Sequence, residues 1–313
     1  MGIGYYLQFP FAQHSLEAAF LVAVSCGLIG PFVITRTMAF AVHGTSELAF
    51  TGAVAGLLVA NNPLVGALVG ALVVATLIGL LGQRASERDS TIGVILAAGL
   101  GLGVFLLGYY HGYASEALNI LFGNIFGVSS GQILLLGVIA VAVAVVLAVI
   151  WRPLQFASID PDVARARGVR TGVLGIVFLF VLAVTVTEAA QIVGTLLVLS
   201  LAITPAAAAQ RLSVNPVVVT ALSVVMAVVA ADGGLLLSFQ FPTVKPSVLI
   251  VALRFAFYVV ARLVGPALTS VRRAAAAARA RARRCSTSSS ARTIFAAPRT
   301  STPSCARRAR PSA

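Results

Sequence analysis

Charge is scarce in this chain of 313 residues: 10% are charged, nine of them acidic, against a hydrophobic share of 59%. Soluble domains carry about a quarter charged residues, so a water-soluble globular protein is excluded. Cysteine is also rare. Cys26 lies inside an apolar run, where it reads as a small hydrophobe. Cys285 and Cys305 lie far downstream, and no CxxC pair exists. Neither a thiolate metal cage nor a disulfide framework is supported. Three histidines, with no HExxH and no GxSxG, leave no nucleophilic or zinc-hydrolase constellation. There is no GxxxxGK[ST] phosphate loop either, so the chain does not hydrolyse ATP by that route. Lysine occurs once, as Lys245.

What is abundant is apolar sequence. Mean hydropathy is +1.01, and only a lipid phase can accommodate so much exposed apolar surface. At about 20 residues per crossing, the runs allow eight or nine spans. Nine can be drawn: 15–35, 39–60, 64–82, 91–109, 131–150, 172–189, 192–210, 216–232 and 247–265. With the N-terminus outside, the inner loops hold Arg36, Arg84, Arg88, Arg152, Arg165, Arg167, Arg170 and Arg211, whereas the outer loops hold only Lys245. That is the asymmetry of the positive-inside rule, and it favours nine spans over eight. The C-terminus is then cytoplasmic. No Lys or Arg precedes the first span, so it is not read as a cleaved signal peptide.

The net charge of +13 does not indicate a nucleic-acid partner. Eleven of the twenty-two basic residues follow Val271, and the rest of the chain is nearly balanced. Residues 1–270 are expected to form the transmembrane domain and 271–313 a disordered Arg/Ala/Ser-rich cytoplasmic tail. Read-through or an out-of-frame end of a GC-rich gene fits the same tail composition.

Within the spans, Gly52 with Gly56 and Gly66 with Gly70 form GxxxG pairs, and Gly99, Gly101 and Gly103 crowd one segment. Such spacing lets helix backbones approach closely in lipid. Pro205 interrupts an apolar run and should kink its helix. The longest inner loop, from Trp151, carries helix signals at both ends. Asp160 suits an N-cap, Pro161 the first turn, and Asp162 the positive end of the dipole. Arg165 and Arg167 lie near the other end, and Gly168 supplies a stop. A short polar helix lying against the membrane is expected there.

Four stretches resemble the membrane permeases of zinc, manganese and iron ABC importers. Gly30-Pro-Phe-Val-Ile-Thr-Arg36, continuing to Ser46-Glu47 and Gly52, looks like the end of that family's first helix and its Ser-His-x-x-x-x-Gly segment. Leu121-Phe122-Gly123-Asn124 matches a Leu-Phe-Gly-Asn motif. Asp160-Pro161-Asp162-Val-Ala164 resembles a cytoplasmic Asp-Pro-x-x-Ala segment. Val193-Gly194-Thr-Leu196-Leu197 and Thr204-Pro205-Ala206 match Val-Gly-x-x-Leu and Pro-Ala motifs. There are departures. Glu47 stands where the family has His, Pro242-Thr-Val-Lys245-Pro246 replaces a Pro-x-Gly, and no His-rich end is present.

The resemblance implies an all-α polytopic membrane protein of eight or nine helices in the cell membrane, two copies forming the pathway. It implies a separate ABC ATPase, an extracytoplasmic metal-binding protein, and Asp160 to Gly168, including Ala164 and Arg165, as the coupling helix. No permanent cofactor is implied; a zinc, manganese or iron ion is the cargo. A permease for iron chelate, haem or a vitamin, or a secondary metal transporter, remain the alternatives.

Ionisable groups in hydrocarbon are costly and mark function by default. His43 and Glu47 are four apart, on one helix face, and imidazole with carboxylate suits zinc, manganese or iron(II). An internal hydrogen-bonded pair fits the same spacing. Glu188, with Gln191 beside it, is placed at an outer span end, where an interfacial, solvated role competes with a gating one. Glu188 and Asp232 are the weaker metal candidates; Asp232 precedes Gly233-Gly234, as in a turn or cap. His14 and Glu17 open the first span as interface residues, and His111 and Glu116 fall in an outer loop.

Overall fold

The computed structural model describes residues 8–81, 85–109, 123–241 and 244–265, except the side chains of 85–88 and 196. Nine long helices and one short one follow in order: α1 Pro10–Thr35, α2 Ala39–Ala60, α3 Pro63–Leu81, α4 Ala85–Gly108, α5 Ser130–Ile159, α6 Pro161–Ala166, α7 Thr171–Val193, α8 Thr195–Leu212, α9 Pro216–Gln240 and α10 Pro246–Gly265. A short 3-10 turn, Ile125–Gly127, precedes α5. No strand occurs among the described residues. Eight of these helices are long and apolar enough to cross a membrane; α8 is the shorter, less apolar ninth. The chain divides into two units, Met1–Gly265 and Pro266–Ala313, and the expected tail lies in the second, outside the described residues.

Helices in lipid gain little from hiding apolar surface from one another, so close packing decides their neighbours. The two GxxxG pairs meet each other across α2 and α3. A Cβ on Gly56 would lie 2.6 Å from the Gly66 Cα, and one on Gly70 would lie 2.8 Å from the Gly52 Cα. On the other side of α2, the Thr51 hydroxyl donates to the Gly99 carbonyl of α4 at 2.8 Å. Gly101 faces open space, so only Gly99 and Gly103, four apart, serve that contact. α1 is the central helix, packing on α5, α7, α8 and α9. Its Ala, Cys and Gly residues, such as Ala18, Ala23, Cys26 and Gly30, are all buried.

Three sequence boundaries are corrected. α1 begins at Pro10, five residues before the span drawn from 15, so His14 and Glu17 lie past its first turn rather than opening it. α5 does not stop at residue 150; it continues through Pro153 to Ile159, making Trp151–Ile159 helix instead of loop. Proline removes one donor and strains one turn, but thirty residues of otherwise unbroken helix hold that turn. α9 runs straight through Asp232-Gly233-Gly234 to Gln240, so no turn follows Asp232.

The short polar helix α6 forms as its signals dictate. Asp160 accepts from the backbone N–H groups of Asp162 at 3.1 Å and Val163 at 3.0 Å. At the other end Gly168 has φ +84. The Val169 N–H reaches the Ala164 carbonyl at 3.0 Å and the Gly168 N–H the Arg165 carbonyl at 2.9 Å. This double closure is a Schellman motif. Asp162 and Arg165 form an exposed ion pair at 3.2 Å. Pro205 sits inside α8, which runs uninterrupted.

Candidate functional site

A cavity of about 420 Å3 opens among α2, α3, α5, α7 and the start of α8, with the Asn124–Val128 segment on its wall. The lining runs from Ala49 to Leu57 on α2 with its cap Asn61, from Gln132 to Ile139 on α5, and from Thr187 to Ile192 on α7. Its polar groups are Asn61, Asn124, Gln132, Thr187, Glu188, Gln191 and Thr195; the rest is aliphatic apart from Phe50.

Glu188 is the charge in this lining. It is 2% exposed, and neither carboxylate oxygen accepts a hydrogen bond from any described group. The Ser25 hydroxyl of α1 lies beside it but donates to the Leu21 carbonyl at 3.1 Å. Thr187 likewise donates to the Ala183 carbonyl at 2.8 Å. The Thr195 hydroxyl is also buried without a partner. The expectation of a solvated residue at a span end is therefore corrected. α7 continues five residues beyond Glu188 and ends only at Val193, where Gly194 takes φ +96, ψ 151. That conformation is essentially reserved for glycine.

The two glycines of the separate Leu-Phe-Gly-Asn and Val-Gly motifs meet here. Gly123 has φ +74, and a Cβ on it would lie 2.6 Å from the Gly194 nitrogen. The residues that follow them, Asn124 and Thr195, both line the cavity. Leu121, Phe122, His111 and Glu116 lie outside the described residues.

Glu47 is buried at 5% exposure, two residues before the cavity-lining Ala49 on α2. His43, one turn further toward the α2 N-terminus, is half-buried and within electrostatic reach of Glu47. The pair shares a face but does not line the cavity with Glu188. Among the described residues no three His, Cys, Asp or Glu side chains gather as a closed metal site. Asp232 is half-buried, with Oδ1 unpartnered, and does not line the cavity.

At the opposite end from the cavity, aromatic rings close the bundle. Phe32 meets Trp151 edge-on at 5.1 Å and Phe178 at 6.1 Å, and the Arg36 guanidinium stacks over Phe178 at 5.6 Å. One residue escaped the sequence reading altogether: Arg254 of α10 is 1% exposed with all three guanidinium nitrogens unpaired. Its signal was available, as a lone cation eight residues inside an apolar run.

Nine long, mostly apolar helices among the described residues, five of which line a cavity carrying a buried carboxylate, define a polytopic membrane protein of the transporter class. Residues 8–265 match the ABC 3 transport family, and the chain belongs to it. Its relatives include the manganese transport system membrane protein MntC of Halalkalibacterium halodurans, 30% identical over 74% of this chain and 80% of the relative. The high-affinity zinc uptake system membrane protein ZnuB of Haemophilus influenzae is 26% identical over 71% and 86%. The structure of PsaBC from Streptococcus pneumoniae in complex with Fab superposes with a TM-score of 0.76 at 25% identity, covering 85% of this chain and 96% of that one. A metal-chelate type ABC transporter in an inward-facing conformation shares the fold alone, with a TM-score of 0.58 at 14% identity, over 78% and 85%.

Proposed function

We propose that this chain is the membrane-spanning permease subunit of an ATP-driven importer of divalent metal ions, with manganese or zinc as cargo. The observation that carries the reading is Glu188, a buried carboxylate with two unsatisfied oxygens opening on the cavity. Such a group is costly in hydrocarbon unless a cation or another charge meets it. The amide and hydroxyl oxygens around it suit a hard divalent ion, and transient ligation suits a carrier that must release what it binds.

In this reading the cavity faces outside, where the arginine distribution puts the ends of α2, α5 and α7 that line it. A metal delivered by an extracytoplasmic binding protein enters past Gln191 and Asn124 and meets Glu188. It then passes toward Glu47 and His43 and leaves at the cytoplasmic side once the rings around Phe32 part. α6 is the coupling helix: Ile159 and Val163 are exposed beside Asp162 and Arg165, a mixed surface suited to docking on an ATPase. ATP binding closes the ATPases, α6 carries the motion, and α5 and α7 rearrange by alternating access. Two copies of the chain, each with an ATPase, complete the transporter; the family resemblance supports this stoichiometry. The N-terminus is outside and the tail cytoplasmic.

The test is uptake of radiolabelled manganese and zinc by cells expressing this chain with its ATPase and binding protein, against Glu188→Gln at matched membrane levels. ATP-dependent uptake of one metal, lowered at least tenfold by the substitution, is expected. Unchanged uptake in the variant removes Glu188 from the pathway. Uptake of neither metal moves a chelated metal to the front.

A further inference from the structure

We propose that Arg254 is a tethered counter-charge for Glu188, pairing with its carboxylate after the metal has left and withdrawn from it when the cavity is set to receive a cation. The inference rests on the reading of Glu188 as a pathway carboxylate.

Arg254 is the one basic residue in the first fifteen of α10, Pro246 to Val260. The inward stripe of this helix is Ser247, Ile250, Arg254 and Ala261, all buried and spaced by three, four and seven. The helical period therefore aims Arg254 into the bundle instead of toward lipid. It stands eight residues from the start of α10, about 12 Å of helix, too deep for its head to lie at the outer interface. Arginine stems in membranes commonly reach out to that interface; here the head is 1% exposed.

The guanidinium has no hydrogen-bond partner, and no described carboxylate pairs with it. Glu188 is in the same condition with the opposite sign. Each stands about one helical turn from the place where α7 meets α10, Ile192 and Val193 sharing a small pocket with Ser247 and Ile250. Adjacent residues of α1 face them, Ser25 beside Glu188 and Cys26 within electrostatic reach of both Glu188 and Arg254. Two unpaired opposite charges near one helix are an arrangement that neither charge favours in a low dielectric. It persists as a working state if each finds its complement at another stage of the cycle.

A divalent ion at Glu188 supplies that complement when the cavity is loaded. Its departure leaves a bare carboxylate, and the fork of an arginine is suited to take the place of the ion. The next metal then has to displace Arg254, since the carboxylate cannot be neutralised by both at once. Arg254 so marks the metal-free permease as a distinct, held state. Hydrolysis by the attached ATPases is restrained in that state and released by cargo. A purely structural arginine would have no such effect on the difference between metal-free and metal-stimulated turnover.

The experiment uses the whole complex of permease, ATPase and binding protein in lipid nanodiscs, with ATP hydrolysis read without metal and with saturating manganese or zinc. Arg254→Met is expected to raise metal-free hydrolysis severalfold while metal-loaded hydrolysis changes little. Arg254→Lys, which keeps the charge, is expected to stay near the parent. Combining Arg254→Met with Glu188→Gln should raise metal-free hydrolysis no further than either change alone. Unchanged metal-free hydrolysis in Arg254→Met, or equal losses with and without metal, overturns the proposal. Should Arg254→Met not assemble, Glu188→Gln carries the test, because it removes the same pair; metal-free hydrolysis at the parent level overturns the proposal there too. Failure of the pathway reading shows separately, as undiminished uptake in Glu188→Gln.

Discussion

Gly123 and Gly194 touch across two loops, each with positive φ, and the space between them admits no side chain. Gly194 also joins α7 to α8 with a single residue. The position of Glu188, six residues before it, thus depends on a turn that only glycine makes without strain.

Gly194→Ala forces a β-carbon into that conformation, at a cost of about 1–3 kcal/mol. The purified variant should melt at a lower temperature than the parent and show reduced uptake in proportion to its folded fraction. A melting temperature equal to the parent would mean that the turn relaxes freely and does not position Glu188.

Asp160 supplies an N-cap worth about 1 kcal/mol. Asp160→Ala should weaken co-purification of the ATPase and lower metal-stimulated hydrolysis, whereas Asp160→Ser, which can still cap, should retain most of both. If Asp160→Ser fails as badly as Asp160→Ala, the carboxylate itself contacts the ATPase. If both bind and hydrolyse normally, α6 is not the coupling element.

The sequence resemblance sets Glu47 against a histidine of the family. Glu47→Gln should lower uptake at least tenfold, and Glu47→His should restore it with a shift toward zinc, since imidazole ranks above carboxylate for that ion. Competition between labelled manganese and unlabelled zinc reads the shift. Normal uptake in Glu47→Gln would end the pathway at Glu188 and leave His43 and Glu47 as packing.

Gly56→Val puts three carbons where the Gly66 Cα lies within 2.6 Å of a bare β-position. α2 and α3 must then separate. Reduced yield of monodisperse protein in size-exclusion chromatography is expected, with Gly101→Val, which meets open space, as the neutral comparison.

The helices were legible because lipid demands long apolar runs, and the short α6 because both its caps are local signals. The GxxxG contacts could be read for the same reason, since backbone approach leaves a fixed spacing in the chain. Glu188 could not be graded correctly from sequence. Apolar periodicity fades toward a helix end, so α7 looked finished near residue 189, and its last turn, which buries the carboxylate, was lost. Asp232 failed similarly: a Gly-Gly pair reads as a turn in water but is tolerated inside a packed membrane helix. The burial of Glu188 and of Arg254 depends on which faces of α1, α7 and α10 turn into the bundle. That is set by tertiary packing, which no local pattern encodes.

α5 spans the distance from Gln132 at the cavity wall, past Trp151 in the aromatic closure, to Ile159 at the turn into α6, without a break. Thirty residues make a rod of about 45 Å. A tilt of only about 5° around its middle moves its two ends by about 2 Å in opposite directions, a displacement typical of packed helices sliding in shear. In the proposed orientation, a push at the α6 end narrows the cavity by the same stroke that draws Trp151 off Phe32. Opening one side and shutting the other need no relay between separate parts: they are the two arms of a single beam.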